Sequence, residues 1–227
     1  MFSVIFEVHP KAAEWDAYLG HAKMLRPELE QIEGFVDNIR YRSLTREGWI
    51  LSLSSWRDEK AVVRWRTKVR HHEAQEKGRS EIMADYHLRV GQIVRDTRLP
   101  SCRQLREQRL DETEVGEGTA VTFVNASIPQ GSVPGIRSQR LAERLGLVAA
   151  APGLVGWDIF DAFLSPGDVI LQMTWRDRAA AAAFASAERH DGERLRVVRV
   201  VRDYGMFDRR EAPQFYPDAT GRPTLHA

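Results

Sequence analysis

The 227-residue chain carries one set of landmarks twice, and this internal repeat limits its possible folds more than any other feature. A Trp-Arg-Asp element occupies 56–58 and again 175–177, and in both places a glycine stands 22 positions before the tryptophan. Nine positions after each tryptophan comes another aromatic residue, and six positions later a histidine. The stretch LRVGQIVRD at 88–96 also returns as LRVVRVVRD at 195–203. Landmarks matched at this many spacings predict a duplicated structural unit.

The first copy contains the patterns of four strands and two helices. Alternating apolar residues at 2–8 predict a strand with one buried face, and an apolar stripe from Trp15 to Ile32 predicts a helix. A hairpin follows over 35–44 and 49–56, and Asp58 then caps a helix that carries Val62, Trp65 and His71. A last strand is predicted at 86–96. The second copy repeats the order, with strands near 120–126, 154–163, 169–175 and 194–206, and helices near 138–150 and 179–189.

The resulting order, β-α-β-β-α-β, is that of the ferredoxin-like α+β unit. A four-stranded sheet with helices on one face leaves its other face uncovered, and a second copy can cover it. We therefore expect two tandem ferredoxin-like domains that form an intramolecular pseudo-dimer barrel. The predicted division is domain 1 at 1–97, a charged linker at 98–118 with a short helix near 104–109, domain 2 at 119–208 and a tail at 209–227.

Composition narrows the classes of partner. With 33 basic and 32 acidic residues the net charge is +1, which argues against nucleic acid or an anionic membrane as a partner. No stretch approaches the ~20 apolar residues of a membrane span. Cys102 is the single cysteine, which excludes an internal disulfide, and the chain opens directly on a strand pattern, so we expect a cytoplasmic protein.

Histidines 9, 21, 87 and 226 lack metal-ligand spacing, and no glycine-rich nucleotide fingerprint follows a strand. Metal, flavin and NAD are therefore not expected.

Three stretches of the sequence resemble a known superfamily. They are the Trp-Arg-Asp element after the third strand, the series Trp65-Arg66, His71, Gln75, Gly78-Arg79, and the ending at 202–209. Together they resemble the antibiotic biosynthesis monooxygenase (ABM) superfamily, here as a tandem-domain member of the dimeric α+β barrel type. The resemblance implies a pocket between the sheet and the helix that follows strand three.

We predict a cofactor-independent monooxygenase with its active site in domain 1. The substrates would be dioxygen and an aromatic, quinol or polyketide-like small molecule. An electron-rich phenolate or enolate can give one electron to triplet dioxygen, so the protein needs only a base, a dry pocket and donors for the anion. His71 would move the proton, Trp65 would wall the substrate, and Gln75 shares a helix face with His71. Further substrate contacts are predicted at Phe6, Arg66, Tyr86 and Asn125.

Two other functions stay open. The first is a non-catalytic small-ligand-binding or stress-response module, in which Trp65 is a core residue and His71 a solvated helix end. The second is a haem-binding or haem-degrading monooxygenase. Trp65 falls where the tryptophan of haem-degrading relatives would be, but Gln75 stands at the ligand position. In the second copy Asn125 is present, whereas Phe184 replaces the tryptophan.

The two copies are unequal in length. His71 to Asp96 spans 25 positions, and His190 to Asp203 spans 13, so the second copy lacks the segment that matches 74–85. We therefore expect the larger and more polar pocket in the first copy, with a mainly structural second copy. A homodimer of pseudo-dimers is an assembly that the sequence leaves open.

Overall fold

A computed structural model of the chain describes residues 1–99, 104–111, 113, 116–129 and 137–213. The first half comprises β1 (Phe2–Pro10), α1 (Trp15–Glu30), β2 (Phe35–Ser43), β3 (Ile50–Trp56), α2 (Glu59–Arg66), α3 (Val69–Lys77) and β4 (Met83–Asp96). The second half comprises β5 (Ala120–Ser127), α4 (Ser138–Arg144), β6 (Leu154–Ala162), β7 (Asp168–Trp175), α5 (Arg178–Ala185) and β8 (Arg194–Gly205). A 3₁₀ turn at Ala12–Glu14 precedes α1, and a π-helical turn at Gly78–Ile82 precedes β4.

The eight strands close into one antiparallel barrel in the order β1-β3-β2-β6-β7-β5-β8-β4. Two seams join the halves. In the shorter seam β2 pairs with β6, with Tyr41 opposite Ala162, and in the longer one β4 pairs with β8, with Leu88 opposite Tyr204. The predicted α+β pseudo-dimer barrel is therefore confirmed, and its closure leaves neither half with an uncovered sheet face.

The repeated glycines occupy equivalent positions at the start of β2 and β6. Gly34 and Gly153 have φ angles of 91° and 80°, in the left-handed region that side chains avoid. A Cβ atom on either would lie 2.8 Å from Cβ of Ala61 or 2.6 Å from Cβ of Ala180. Both positions therefore require glycine for two reasons, conformation and close helix packing.

The repeated Trp-Arg-Asp elements end β3 and β7 in the same way. Trp56 and Trp175 are buried, and their indole nitrogens donate to Ser54 and Thr122, each at 2.8 Å. Asp58 then caps α2 by accepting from the Ala61 amide at 2.9 Å, and Asp177 caps α5 by accepting from the Ala180 amide at 2.8 Å. Both tryptophans thus pack in the cores between sheet and helices.

The barrel interior is filled. One part is apolar and includes Ile5, Leu53, Phe123, Phe160 and Val198. The other is a charge network around Glu7, which accepts hydrogen bonds from Arg89 at 2.5 Å, Arg46 at 2.7 Å and Gln172 at 2.6 Å. Burial alone would raise the pKa of Glu7, but the guanidinium groups of Arg89 and Arg46 lower it to about 2. Since the interior is packed, a substrate-sized space must lie outside the barrel wall, beneath the helices.

Several predicted helices were wrong in extent. The helix expected to carry both Trp65 and His71 is two helices, because the backbone turns extended at Lys68 and Thr67 bonds back to the Val63 carbonyl at 3.0 Å. The first helix of the second half ends at Arg144 rather than near 150, since Gly146 takes a φ of 95° that terminates it. The second helix ends at Ala185 rather than near 189.

The short helix predicted in the linker near 104–109 does not form. Residues 104–111 are neither helix nor strand and run against β4 and β8. The Gln92 side-chain oxygen accepts from the amides of Gln108 (2.8 Å) and Arg109 (3.1 Å), and the Arg199 guanidinium donates to the carbonyls of Arg109 and Asp111. Side chains of the barrel therefore bond the backbone groups that a helix would have paired internally. Cys102, His226 and the tail beyond 213 lie outside the described residues.

Candidate active site

A cavity of about 230 Å³ lies in the first half between the outer face of the sheet and helices α1 to α3. Its walls are mainly apolar and come from alternate positions of the strands and the inner faces of the helices. They include Val4, Phe6, Leu25, Leu29, Val62, Trp65, Met83, Leu88 and Val90. The alternation of β1 that buries one face thus also supplies the floor of the cavity.

Six of the seven residues predicted from the sequence line this cavity: Phe6, Trp65, Arg66, His71, Gln75 and Tyr86. The seventh, Asn125, does not. It points toward the barrel interior on β5, where its side-chain oxygen accepts from Arg196 at 3.0 Å and its nitrogen lies 3.5 Å from the Tyr41 hydroxyl. Asn125 shares a strand face with buried Phe123, so alternation turns it away from the helices.

His71 is held by contacts with Trp65. Their rings stack with centroids 4.2 Å apart and planes 18° from parallel. Nδ1 of His71 lies 3.0 Å from the Trp65 carbonyl oxygen, so this nitrogen carries the proton and Nε2 keeps a lone pair. The break at Thr67 and Lys68 makes this contact possible, because it folds α3 back over the end of α2.

Burial keeps the His71 imidazole neutral. It lowers the pKa of His71 to about 4, and the hydrogen bond to the Trp65 carbonyl opposes that shift only in part. The side chain is partly exposed and borders the cavity. At neutral pH the cavity therefore contains a proton acceptor that is free of charge and fixed in orientation.

One end of the cavity is strongly basic, and sequence reasoning missed most of it. Four of the arginines that line the cavity, Arg66, Arg79, Arg202 and Arg209, lie around Tyr86 and Tyr204. Glu59 is the one acidic side chain among the described lining residues. Glu59 is itself paired with Arg109 at 2.6 Å. The Tyr86 hydroxyl accepts from Arg209 at 2.5 Å and from Arg79 at 3.3 Å.

Arg202 and Tyr204 reach this cavity from the second half. They lie on β8, paired with Val90 and Leu88 of β4, so their side chains share the outer face of the first half's sheet. The resemblance of 202–209 to the family's strand-four ending was the available signal. It did not place these residues in the first-half cavity, because the pairing of β8 with β4 is not visible in local sequence.

The second half has a different site. The residue that matches Trp65 is Phe184, and it packs on Trp175 with centroids 5.3 Å apart while the Arg189 guanidinium lies 4.1 Å from its ring. A cleft of about 330 Å³ lies beside α5, lined mainly by Val, Ala and Arg side chains. These volumes therefore do not bear out the prediction that the first half has the larger pocket. The clear difference is that the described part of the second half has no helix corresponding to α3, so His190, which matches His71, lies outside any helix and is exposed.

Other kinds of site find no support in the part of the chain that the structure describes. Within it no three His, Cys, Asp or Glu side chains group closely enough to hold a metal ion. None of the helices in the described ranges has the length and hydropathy that a membrane crossing requires.

Comparison with known proteins agrees with this class of fold, a pseudo-dimeric α+β barrel with a cavity beneath its helices. Residues 1–77 match the family model described as antibiotic biosynthesis monooxygenase. The chain is 49% identical over 226 residues to the jasmonate monooxygenase ABM of Pyricularia oryzae, covering 97% of this chain and 100% of that protein. The chain therefore belongs to the antibiotic biosynthesis monooxygenase family.

Solved structures give weaker similarities. A protein described as anthrone oxidase-like is 15% identical with a TM-score of 0.34, covering 94% of this chain and 96% of that one. An antibiotic biosynthesis monooxygenase structure is 17% identical with a TM-score of 0.29, covering 32% of this chain and 76% of that one. The family match and the curated relative support a monooxygenase as the general class.

Proposed function

We propose that this chain is a cofactor-independent monooxygenase whose active site is the cavity of the first half. We propose as substrate a small cyclic ketone with an apolar body, of which jasmonate is the first compound to test. The observation that carries the proposal is the neutral, oriented His71 in an apolar cavity. The 49% identity to a jasmonate monooxygenase supports the substrate class.

The proposed reaction starts with a proton transfer. Nε2 of His71 takes a proton from a carbon next to the carbonyl group, which leaves an enolate. A buried imidazole with a low pKa is a weak base, so the proton must come from an activated C–H bond. The imidazolium that forms is stabilised by the adjacent enolate. The nearby guanidinium groups lie where they can stabilise further negative charge.

Oxygen then reacts with the enolate without an added reductant. The enolate gives one electron to dioxygen, and the substrate radical and superoxide combine to form a C–O bond, which yields a hydroperoxide after protonation. If the attacked carbon began as CH₂, the hydroperoxide loses water and becomes a carbonyl. The balance is R₂CH₂ + O₂ → R₂C=O + H₂O, in which the substrate supplies all the electrons.

The test is oxygen uptake by the purified protein with jasmonate, followed by product analysis under ¹⁸O₂. One labelled oxygen atom should enter the organic product and the other should leave as water. His71→Ala should lower the rate by roughly 10²–10⁴-fold. The matched change His190→Ala, at the equivalent position of the second half, should leave the rate near that of the wild type. Turnover that needs an added electron donor, or equal losses in both variants, would contradict the proposal.

An aromatic quinol or anthrone is the second candidate substrate. The flat Trp65–His71 stack and the rings of Phe6 and Tyr86, whose centroids are 5.7 Å apart, offer aromatic surfaces to a planar ligand. The balance given above also holds for an anthrone CH₂ group. Oxygen uptake with an anthrone but not with jasmonate would favour this candidate.

A haem enzyme of this family fits the cavity less well. His71 has the arrangement of a metal-binding histidine, with Nδ1 bonded to a carbonyl oxygen. However, Gln75 stands at the position where haem-degrading relatives have the haem ligand. The proposed reaction therefore includes no haem.

A further inference from the structure

The basic end of the cavity contains more positive charge than the protein itself neutralises. The Tyr204 ring lies among Arg66, Arg202 and Arg209, and the Arg209 guanidinium carbon is 5.3 Å from the ring centroid. Among the described residues, Arg66 and Arg202 have no hydrogen-bond or ion-pair partner. Nε of Arg66 is buried as well, so this donor is separated from water and left unsatisfied.

Partly buried guanidinium groups without partners are costly in the free protein, which favours an anionic ligand beside them. The planar fork of an arginine side chain matches a carboxylate group and can bind it through two parallel hydrogen bonds. Tyr204 adds a neutral donor, because burial raises its pKa to about 12 and keeps the hydroxyl protonated. The rest of the cavity is mainly apolar, so the ligand should carry its charge at one end only.

We propose that Arg66 and Arg202, together with the Tyr204 hydroxyl, form a carboxylate-binding subsite that anchors an apolar carboxylic acid in the first-half cavity. Arg66 comes from α2 of the first half, and Arg202 and Tyr204 come from β8 of the second half. The subsite therefore exists only when the two halves are joined at the β4–β8 seam. This proposal rests on the proposed function, because it assumes that the substrate binds in the first-half cavity.

The subsite predicts that the enzyme distinguishes an acid from its ester. Jasmonate and methyl jasmonate share one ring and one apolar chain but differ in charge. Binding of each is measured by calorimetry under nitrogen, so that no turnover occurs. The acid should bind at least roughly tenfold more tightly than the ester, as expected for hydrogen bonds to a charged group.

Three variants test whether Arg66 and Arg202 cause the difference in affinity between the acid and the ester. Arg66→Gln and Arg202→Gln should each weaken binding of the acid by roughly 10- to 100-fold and leave ester binding nearly unchanged. Arg66→Lys, which keeps the charge but loses the fork, should recover part of the loss. The control is Arg64→Gln on the same helix, since Arg64 is exposed, pairs with Glu33 and does not line the cavity. Thermal unfolding checks that each variant is folded.

The outcomes separate this proposal from the proposed function. If acid and ester bind equally, if neither binds, or if Arg64→Gln weakens acid binding as much as Arg66→Gln, the carboxylate subsite is wrong. If the acid and the ester bind equally and both are turned over, the monooxygenase proposal still stands. Binding of the acid that depends on Arg66 and Arg202, without any oxygen uptake, would support the subsite and contradict the proposed reaction.

Discussion

Replacing His71 tests the electrostatics of the cavity directly, because the burial that lowers its pKa also makes stability depend on pH. The pKa falls from an ordinary 6.5 to about 4 in the folded protein. In the unfolded chain His71 is therefore protonated below about pH 6.5, whereas in the folded protein it stays neutral down to about pH 4. The free energy of unfolding should be nearly independent of pH above pH 7. It should decrease as the pH falls from about 6.5 to about 4.

The size of the effect follows from the two pKa values. At pH 4.5 the linkage relation gives a loss of roughly 2.5 kcal/mol relative to neutral pH. This is an upper limit, because the side chain is partly exposed and solvent screens part of the interaction. His71→Gln keeps a polar side chain but cannot be protonated, so the variant should lose less stability between pH 7.5 and 4.5 than the wild type does.

The measurement is urea unfolding of both proteins at several pH values, with His190→Gln as the control. His190 occupies the equivalent position of the second half and is exposed, so its replacement should leave the pH dependence unchanged. If catalysis is established, the acidic limb of kcat/KM should fall near pH 4 rather than near 6.5, since it reports the base of the free enzyme. Identical pH dependence of unfolding in the wild type and His71→Gln would refute the reasoning.

Three further predictions concern the repeat and the cofactor. Asp58→Ala and Asp177→Ala should each lower the free energy of unfolding by about 0.5–2 kcal/mol, measured by denaturant titration, because each removes the cap of a helix. Gly34→Ala should cost more than about 1 kcal/mol in the same assay, and Ala61→Gly in that background should restore the part due to the close contact but not the part due to the φ angle. Added haem should give no stoichiometric Soret band, and one that disappears in His71→Ala would instead favour the haem reaction.

The barrel could be predicted from the sequence because its determinants are local and occur twice. Gly34 and Trp56, with their counterparts Gly153 and Trp175, mark strand starts and ends at fixed spacing, and alternation assigns the faces. Part of the cavity lining followed from apolar patterns, which include Phe6 and Trp65, together with the family resemblance.

The errors have physical causes that local patterns do not carry. The extended backbone at Lys68 interrupts an otherwise continuous helical pattern, and it is stabilised by the contact of His71 with Trp65, a tertiary interaction. Asn125 was assigned to the site by resemblance, but its strand face is set by the register of β5 against β7 and β8. A shift of one residue in that register would have turned it outward.

The arginine end of the cavity shows why the two halves cannot be understood separately. β8 begins in its own half, where Arg194 pairs with Asn125 of β5, and then continues along β4, where Arg202 and Tyr204 enter the first-half cavity. β4 does the reverse, since Val94 and Arg95 near its end line the cleft of the second half. Each half thus supplies a wall of the other's site. The second half lacks a counterpart of α3 and its His190 is exposed, yet it is not dispensable, because an isolated first half would keep His71 and Trp65 but lack Arg202 and Tyr204.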